Sequence, residues 1–414
     1  MCFATFHRFI VRKLVRGWPP AAMLVTLLVA PPIFASDIIK VPLQTQRVWD
    51  FDGGKIRFDC NFSSARLNGC KQVGEAEFKL AISPENEPIN NSPWYAFKIA
   101  ASETQVVTLD LVDTYSALRS RPWLSRDGKN WTRADETQWT KGSATNAPTL
   151  HLKVDSRPVF VSAWDIVSLP EINDWMEKTS HHAKITIKSA GNSIEGRPLR
   201  YFILGEPTAT NLVFIIGRQH PPEITGTIGL ESFVETVAGN SARAKKFRKQ
   251  FQTVVVPVVN PDGVEHGHWR SNLGGVDLNR DWRNFSQPET RAVRDLFLQL
   301  ASQPDAKPWL FMDFHSTGTN VFYAQPEIPG DWLPGFTDHW LAALHGKLAA
   351  FGFERDDSHN ADLATGKAWV NGQWHIPAMT CEFGYTTDRE LIRKTGKAEA
   401  EEMMRLLLAA DSGK

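Results

Sequence analysis

"LVFIIGRQHPPEIT", residues 212–225, changes character twice within a short span. The apolar run 212–216 has the length and β-branched content of a buried strand, and the chain from Thr225 takes up a helical pattern. Between them stand His220 and Glu223, with Pro221 and Pro222 restricting the backbone that separates the two side chains. A near-continuous apolar strand belongs to a sheet covered on both faces, which is the signature of an α/β layer. Open sheets of that class place their ligand crevices beyond the carboxyl ends of the strands. On its own the pair also fits a hydrogen-bonded loop histidine followed by a charge at a helix start, so a third residue has to decide.

That residue is His315, in "WLFMDFHSTGTN", directly after another buried strand. Two histidines and one carboxylate, with a fourth position left to water, is the arrangement of catalytic zinc. A structural zinc takes four protein ligands, often thiolates, and the cysteines of this chain are not placed for that. The same grammar continues around these residues. Apolar runs "LVFIIG", "TVVVPVV", "WLFMDF" and "AMTCEF" alternate with helical patterns over 225–238, 288–301, 332–351 and 397–409. Residues 169–414 therefore read as an α/β domain.

Residues 36–168 follow a different rule. Short alternating runs such as "KIRFDC", "AEFKLAI", "WYAFKIA", "TQVVTLDLV" and "PTLHLKV" are separated by turn residues, which reads as an antiparallel β-sandwich. "WLSRDGKNWTRAD", residues 123–135, reads as a hairpin turning at Asp127 and Gly128. No cluster with catalytic spacing occurs in this module.

Lysine plus arginine equals aspartate plus glutamate, at 46 each, which excludes a general electrostatic attraction to nucleic acid or anionic membrane. At the N-terminus, Arg8, Arg12, Lys13 and Arg16 precede an apolar stretch over 21–30, and Ala35 offers a cleavage point before Ser36. Residues 1–35 therefore read as a secretory signal peptide, and the mature chain as an exported protein, periplasmic or secreted, with no membrane span once the signal is removed. Of the four cysteines, Cys2 would leave with the signal. Cys60 and Cys70 flank a turn-rich segment that an oxidising compartment could close as a disulfide, and two unpaired thiols are the alternative. Cys381 reads as a buried thiol.

The segments "SIEGRPLRYFILG", "NPDG", "GVDLNRDW" and "QPETRAV", in that order between Ser193 and Val293, resemble the M14 family of zinc carboxypeptidases, and within it the branch called cytosolic carboxypeptidases. "SPWYAFKI" in the first module is similar to the β-sandwich that precedes the catalytic domain in that branch. The resemblance implies a zinc-carboxypeptidase-like, mixed-sheet α/β domain behind an N-terminal antiparallel β-sandwich. It implies Zn2+ held by His220, Glu223 and His315, with Asp277 orienting a zinc histidine. Asn279 and Arg280 would hold the terminal carboxylate of a peptide or protein substrate, Arg270 would steady the oxyanion, and Glu382 would act as general base on a zinc-activated water.

Two departures qualify this. The tyrosine that many digestive members carry some twenty residues before the glutamate is missing. The branch is named for the cytosol, whereas this chain reads as exported. Lys367 stands about fifteen residues before Glu382, at the level where such enzymes read the C-terminal side chain. A cation there favours an acidic terminal residue; a solvated loop lysine is the plain alternative. Two other functions share the pattern: a zinc amidase acting on murein peptides or acylated amino acids, and a non-catalytic peptide-binding protein.

Overall fold

The computed structural model describes residues 40–118, 120–143, 147–327 and 330–412. The region read as an export signal, 1–35, lies outside them. Two sheets form the first part of the chain. One has six strands, in spatial order Val48–Phe51, Ile56–Asp59, Ala96–Ala101, Val159–Ser162, Trp123–Ser125 and Thr132–Arg133. The other has five: Gly69–Gly74, Glu77–Ile82, Gln105–Asp113, Thr149–Val154 and Trp139–Thr140. Pairing is antiparallel throughout except between Glu77–Ile82 and Gln105–Asp113, which run parallel. Alternation explains the layering: in Thr149–Val154 the residues Leu150, Leu152 and Val154 are buried while His151 and Lys153 face water. Phe58 of one sheet meets Phe78 of the other at a centroid separation of 5.0 Å. The hairpin closes through Trp123 opposite Arg133, with Gly128 at a φ of +71° in the turn.

An eight-stranded mixed sheet follows, in spatial order Lys188–Asn192, Pro198–Leu204, Phe251–Val256, Asn211–Gly217, Lys307–Thr317, Ala378–Gly384, Val321–Ala324 and Glu354–Arg355. All seven residues of Asn211–Gly217 are buried because both faces are covered. Val213 and Ile215 pack with helices Ile224–Ala238, Phe336–Lys347 and Arg389–Ser412, in a core that runs on into the β-sandwich. Phe214 and Ile216 face helices Pro288–Ala301 and Gly366–Trp374 on the other side. From Lys40 onward the described residues form one compact unit.

Several sequence-based expectations need correction. Cys60, Cys70 and Cys381 are free thiols, so of the two alternatives at Cys60 and Cys70 the fold shows the unpaired one. Burial pushes the Cys70 thiol up to about 12, leaving it protonated and unreactive. The helix expected over 332–351 spans only Phe336–Lys347, because Gly335 takes a left-handed conformation at its start. The last helix is longer than its apolar pattern, Arg389–Ser412. No helix among the described residues is long and apolar enough to cross a membrane.

That last helix carries Glu399, fully buried, whose carboxyl oxygens have no hydrogen-bond partner among the described residues. Burial raises its pKa well above 4.5, so the folded protein holds it protonated. The unfolded chain gives up that proton above about pH 4.5, and folding must then recapture it at a cost growing by ~1.4 kcal/mol per pH unit until the folded pKa is reached. This carboxyl thus favours folding most at low pH and progressively less as pH rises. Glu399→Gln removes the dependence, so the variant's melting temperature should gain on wild type between pH 5 and pH 8. An equal difference at both values would show that the carboxyl is not buried neutral.

Candidate metal centre and active site

Strands Asn211–Gly217, Lys307–Thr317 and Ala378–Gly384 lie side by side and parallel, so their carboxyl ends open on one edge. After Asn211–Gly217 the chain forms Phe251–Val256 on one side and Lys307–Thr317 on the other, which makes the gap between those two connections a topological switch point. His220 and Glu223 leave the first strand there, and His315 lies near the end of the next. Register sets Glu382 directly beside His315. The three candidate ligands are brought together: one ligand atom from each of His220, Glu223 and His315 lies within 4.8 Å of the others.

The loop that delivers His220 is held rigidly. Arg218, buried at a φ of +49°, donates from Nε to Pro221 O at 2.9 Å, from Nη1 to Thr227 Oγ1 at 3.1 Å, and from Nη2 to Val167 O at 3.0 Å. The helix Ile224–Ala238 starts on Glu223, and Gly226 lets it press against the next strand: a Cβ there would stand 2.5 Å from His315 O. Only a residue without a side chain brings Glu223 this close to His315.

Each imidazole is held from behind. His220 Nδ1 meets Glu223 Oε1 at 2.8 Å and its Nε2 meets Asp277 Oδ1 at 2.8 Å. His315 Nδ1 meets Glu223 Oε2 at 2.6 Å while its Nε2 lies 2.8 Å from Asp313 Oδ2. A carboxylate behind a ligating imidazole fixes its tautomer and raises its basicity. Asp277 lies against His220 and also accepts from Arg270. Asp313 was not singled out, although "MDFH" carries the signal: residues two apart on a strand share a face. Gln219 supports Asp313 in turn, donating to Oδ2 at 2.7 Å and accepting from Trp282 Nε1 at 2.8 Å.

The electrostatics favour a cation. Burial opposes ionisation of Glu223, but the charges and hydrogen bonds of the two imidazoles outweigh it and hold the carboxyl far below its usual range. Burial also opposes a charge on His315, yet Asp313 and Glu223 raise its pKa well above 6.5. A site that holds a proton this tightly between two nitrogens and a carboxylate can exchange it for a metal ion, and the N,N,O donor set suits zinc.

The remaining candidates line the same cavity of about 310 Å³: Arg270, Asn279, Arg280, Lys367 and Glu382. Arg270, 9% exposed, donates from Nε to Asp277 Oδ2 at 2.7 Å, so one carboxylate ties it to His220. Asn279 N also donates to Asp277, at 2.9 Å, and the Asn279 amide oxygen accepts from Gly366 N at 3.0 Å. Arg280 donates to Asn279 O at 2.7 Å. Burial, with a smaller push from the Glu223 charge, raises the Glu382 carboxyl to about 8, and its Oε2 has no partner among the described residues. Lys367 is not a solvated loop lysine: it sits in the first turn of Gly366–Trp374 at 2% exposure. Its Nζ donates to Gln325 Oε1 at 2.9 Å, His359 O at 3.0 Å and Ala324 O at 3.1 Å. Tyr323, stacked on His359 at 4.1 Å, and Tyr385 also line the cavity, and neither was singled out from the sequence.

Residues 172–327 match the family model of the zinc carboxypeptidases. That stretch is similar in sequence to the M14 zinc carboxypeptidases. Cytosolic carboxypeptidase 6 of Caenorhabditis elegans is 33% identical over 292 residues, covering 64% of this chain and 62% of that one. An uncharacterised protein of Zymomonas mobilis is 21% identical over 354 residues, covering 80% of this chain and 88% of its own. Against the cytosolic carboxypeptidases 6 of worm, mouse and human, the chain spans 54% to 62% of their length. In three dimensions it resembles a metallo-carboxypeptidase from Burkholderia cenocepacia with a TM-score of 0.71 at 19% identity, over 87% of this chain and all of that one. That likeness shows that sandwich and α/β layer occur together in another protein of this fold.

Asp313→Asn keeps the shape of the side chain but removes the charge behind His315. Metal affinity, measured by competition with a chelator, should fall about 10- to 100-fold. His315→Ala should fall further, and an Asp313→Asn protein that binds zinc as tightly as wild type would show that Asp313 has no part in holding the ion.

Proposed function

We propose that this protein is a zinc-dependent metallocarboxypeptidase that hydrolyses the C-terminal peptide bond of peptides or proteins. The observation that carries the reading is the convergence of a His, Glu, His ligand set, an unpaired carboxyl and two arginines on one cavity. Zinc bound by His220, Glu223 and His315 supplies a Lewis acid that polarises the scissile carbonyl and acidifies a water. The rest is the work of the side chains. Arg280, with Asn279 adding a neutral donor, holds the terminal carboxylate. Arg270 balances the negative charge that develops on the carbonyl oxygen. Glu382, with a pKa of about 8, takes a proton from the attacking water and returns it to the leaving amine.

A mixed pool of peptides with free and amidated C-termini tests this. Stepwise loss of terminal residues from the free-acid peptides alone is expected, with Glu382→Gln lowering kcat by about 10²- to 10⁴-fold. Cleavage of amidated ends as well, or full activity in the Gln variant, would remove the assignment. Activity confined to murein fragments or acylated amino acids would redirect it to an amidase.

Lys367 supports a preference for acidic C-terminal residues. Its ammonium is surrounded by three neutral acceptors, with no carboxylate in ion-pair contact among the described residues. A substrate carboxylate is a stronger partner than any of these. Burial lowers the lysine to about 8, so the charge is present below that pH and lost above it. The ratio of kcat/KM for Glu-ended over Leu-ended peptides should therefore fall as pH rises from 7 to 9. Lys367→Met should flatten that profile at a low ratio; a preference unchanged by the substitution would exclude Lys367 as the reader. The charge and apolar pattern of residues 1–35 supports export, which makes extracytoplasmic peptides the substrates to try first. Fractionation of cells producing the full chain checks this, and a cytoplasmic pool of uncleaved protein would refute it.

A further inference from the structure

The β-sandwich shows no catalytic spacing, yet it reaches the active site through one side chain. Glu85 follows the strand Glu77–Ile82 and is 5% exposed. Its Oε2 accepts from Trp269 N at 2.7 Å, and its Oε1 accepts from Ser271 N at 2.6 Å and Arg270 N at 3.0 Å. A single carboxylate thus binds three consecutive backbone amides, centred on the arginine that faces the reacting carbonyl. Bonds of this charge-assisted kind are about twice as strong as neutral ones, and burial strengthens them further.

The surroundings make this a fixed mount. Gly267, at a φ of +62°, lies so close to the sandwich that a Cβ would stand 2.7 Å from Ser64 O. Trp269 is fully buried and meets Tyr115 edge to face at 6.3 Å. Asn86 Nδ2 donates to Gly275 O at 3.1 Å, farther along the same loop. The Arg270 side chain has one hydrogen bond among the described residues, from Nε to Asp277. The guanidinium is therefore located by two carboxylates: Asp277 at Nε, and Glu85 at the backbone from which the side chain springs.

We propose that Glu85 is a positioning residue for Arg270, through which the β-sandwich sets the oxyanion-stabilising geometry of the catalytic domain. The inference rests on the carboxypeptidase reading above. Glu85 touches no substrate; it acts by holding Arg270 at a distance where its charge matches the transition state. A displacement of about 1 Å in such a group costs on the order of 10²-fold, and losing an oxyanion donor outright about 10²- to 10³-fold. Holding the terminal carboxylate is left to Asn279 and Arg280, so binding should change little.

The test uses the full mature chain loaded with zinc and the substitutions Glu85→Ala, Glu85→Gln and Glu85→Asp. Glu85→Ala should lower kcat by about 10- to 100-fold with KM within about threefold. Glu85→Gln, which turns one amide donor toward another, should fall between, and Glu85→Asp should recover part of the loss. Bound zinc should stay at the wild-type level. The deciding comparison is made in an Arg270→Ala background: Glu85→Gln should then change kcat less than about twofold while still lowering the melting temperature. The same loss of kcat in both backgrounds, or an unchanged kcat with Arg270 in place, would overturn the proposal. Hydrogen exchange of residues 267–277 provides a readout independent of turnover and should speed up in Glu85→Gln. If wild type cleaves nothing, the carboxypeptidase reading fails by itself. Exchange then decides whether Glu85 holds the loop, and an unchanged rate overturns that too.

Discussion

Everything at the active edge depends on one buried carboxylate, Glu223, set between His220 Nδ1 and His315 Nδ1. A carboxylate taken out of water must find positive charge, and two imidazoles supply it only while protonated or while sharing a metal ion. Behind each imidazole stands a further carboxylate, Asp277 or Asp313. Counting formal charges, the three carboxylates carry three negative charges, Arg270 in contact with Asp277 offsets one, and the two imidazoles can be neutral, which leaves two negative charges. That is the charge of one divalent cation. The cluster is therefore balanced for a metal ion by its own composition, before any likeness to another protein is considered.

The sheet meets this electrostatic demand by geometry. Three parallel strands end together, and the register that sets Ile216 opposite Asp313 also sets His315 opposite Glu382. A slip of one residue in either pairing would turn Asp313 and His315 into the helical layers. Near-continuous hydrophobic strands leave little in their own pattern to prevent such a slip. Gly226 and Gly229 make the correct register the close-packed one, since Gly226 lies on the His315 backbone and Gly229 lies under the Phe383 ring.

Much of this was legible in the sequence because the chemistry sits at punctuation points. His220 and His315 each follow an apolar run, which marks them as candidates by pattern, whereas Glu382, a charge inside such a run, took its role from the resemblance. Arg270, Asn279 and Arg280 lie in a long connection without periodicity, and only the resemblance of residues 260–282 to a known family gave them roles. Asp313 and Lys367 show what pattern reading misses. Asp313, like Glu382, is a charge inside an apolar strand and was passed over, and Lys367 has the sequence neighbours of a loop lysine although a helix start buries it. Glu85 had no local signal at all, since its partners are backbone amides some 185 residues away in the chain. The sequence pointed equally to a bridge or to two thiols at Cys60 and Cys70; in the fold Cys60 lies at the end of a strand of one sheet and Cys70 within a strand of the other.

The contrast among the carboxyl groups of the cavity bears on how the chemistry can run. Glu223 and Asp277 are locked by imidazole and guanidinium partners and held ionised across the physiological range. Such groups bind and orient but cannot carry a proton. Glu382 is different: it has no ion-pair partner among the described residues, its Oε2 is unpaired, and burial raises it to about 8. An arginine bonded to it would have stabilised the fold and removed this freedom, because a strongly paired carboxylate is too weak a base to take a proton from water. Leaving a carboxyl unpaired in a buried wall costs stability, at Glu382 as at Glu399, but of the two only Glu382 lines the cavity. The two arginines of the cavity are directed elsewhere, Arg270 by Asp277 and its backbone mount, Arg280 by Asn279 O. The arrangement that secures the guanidinium groups is thus the same one that leaves Glu382 without a guanidinium partner among the described residues.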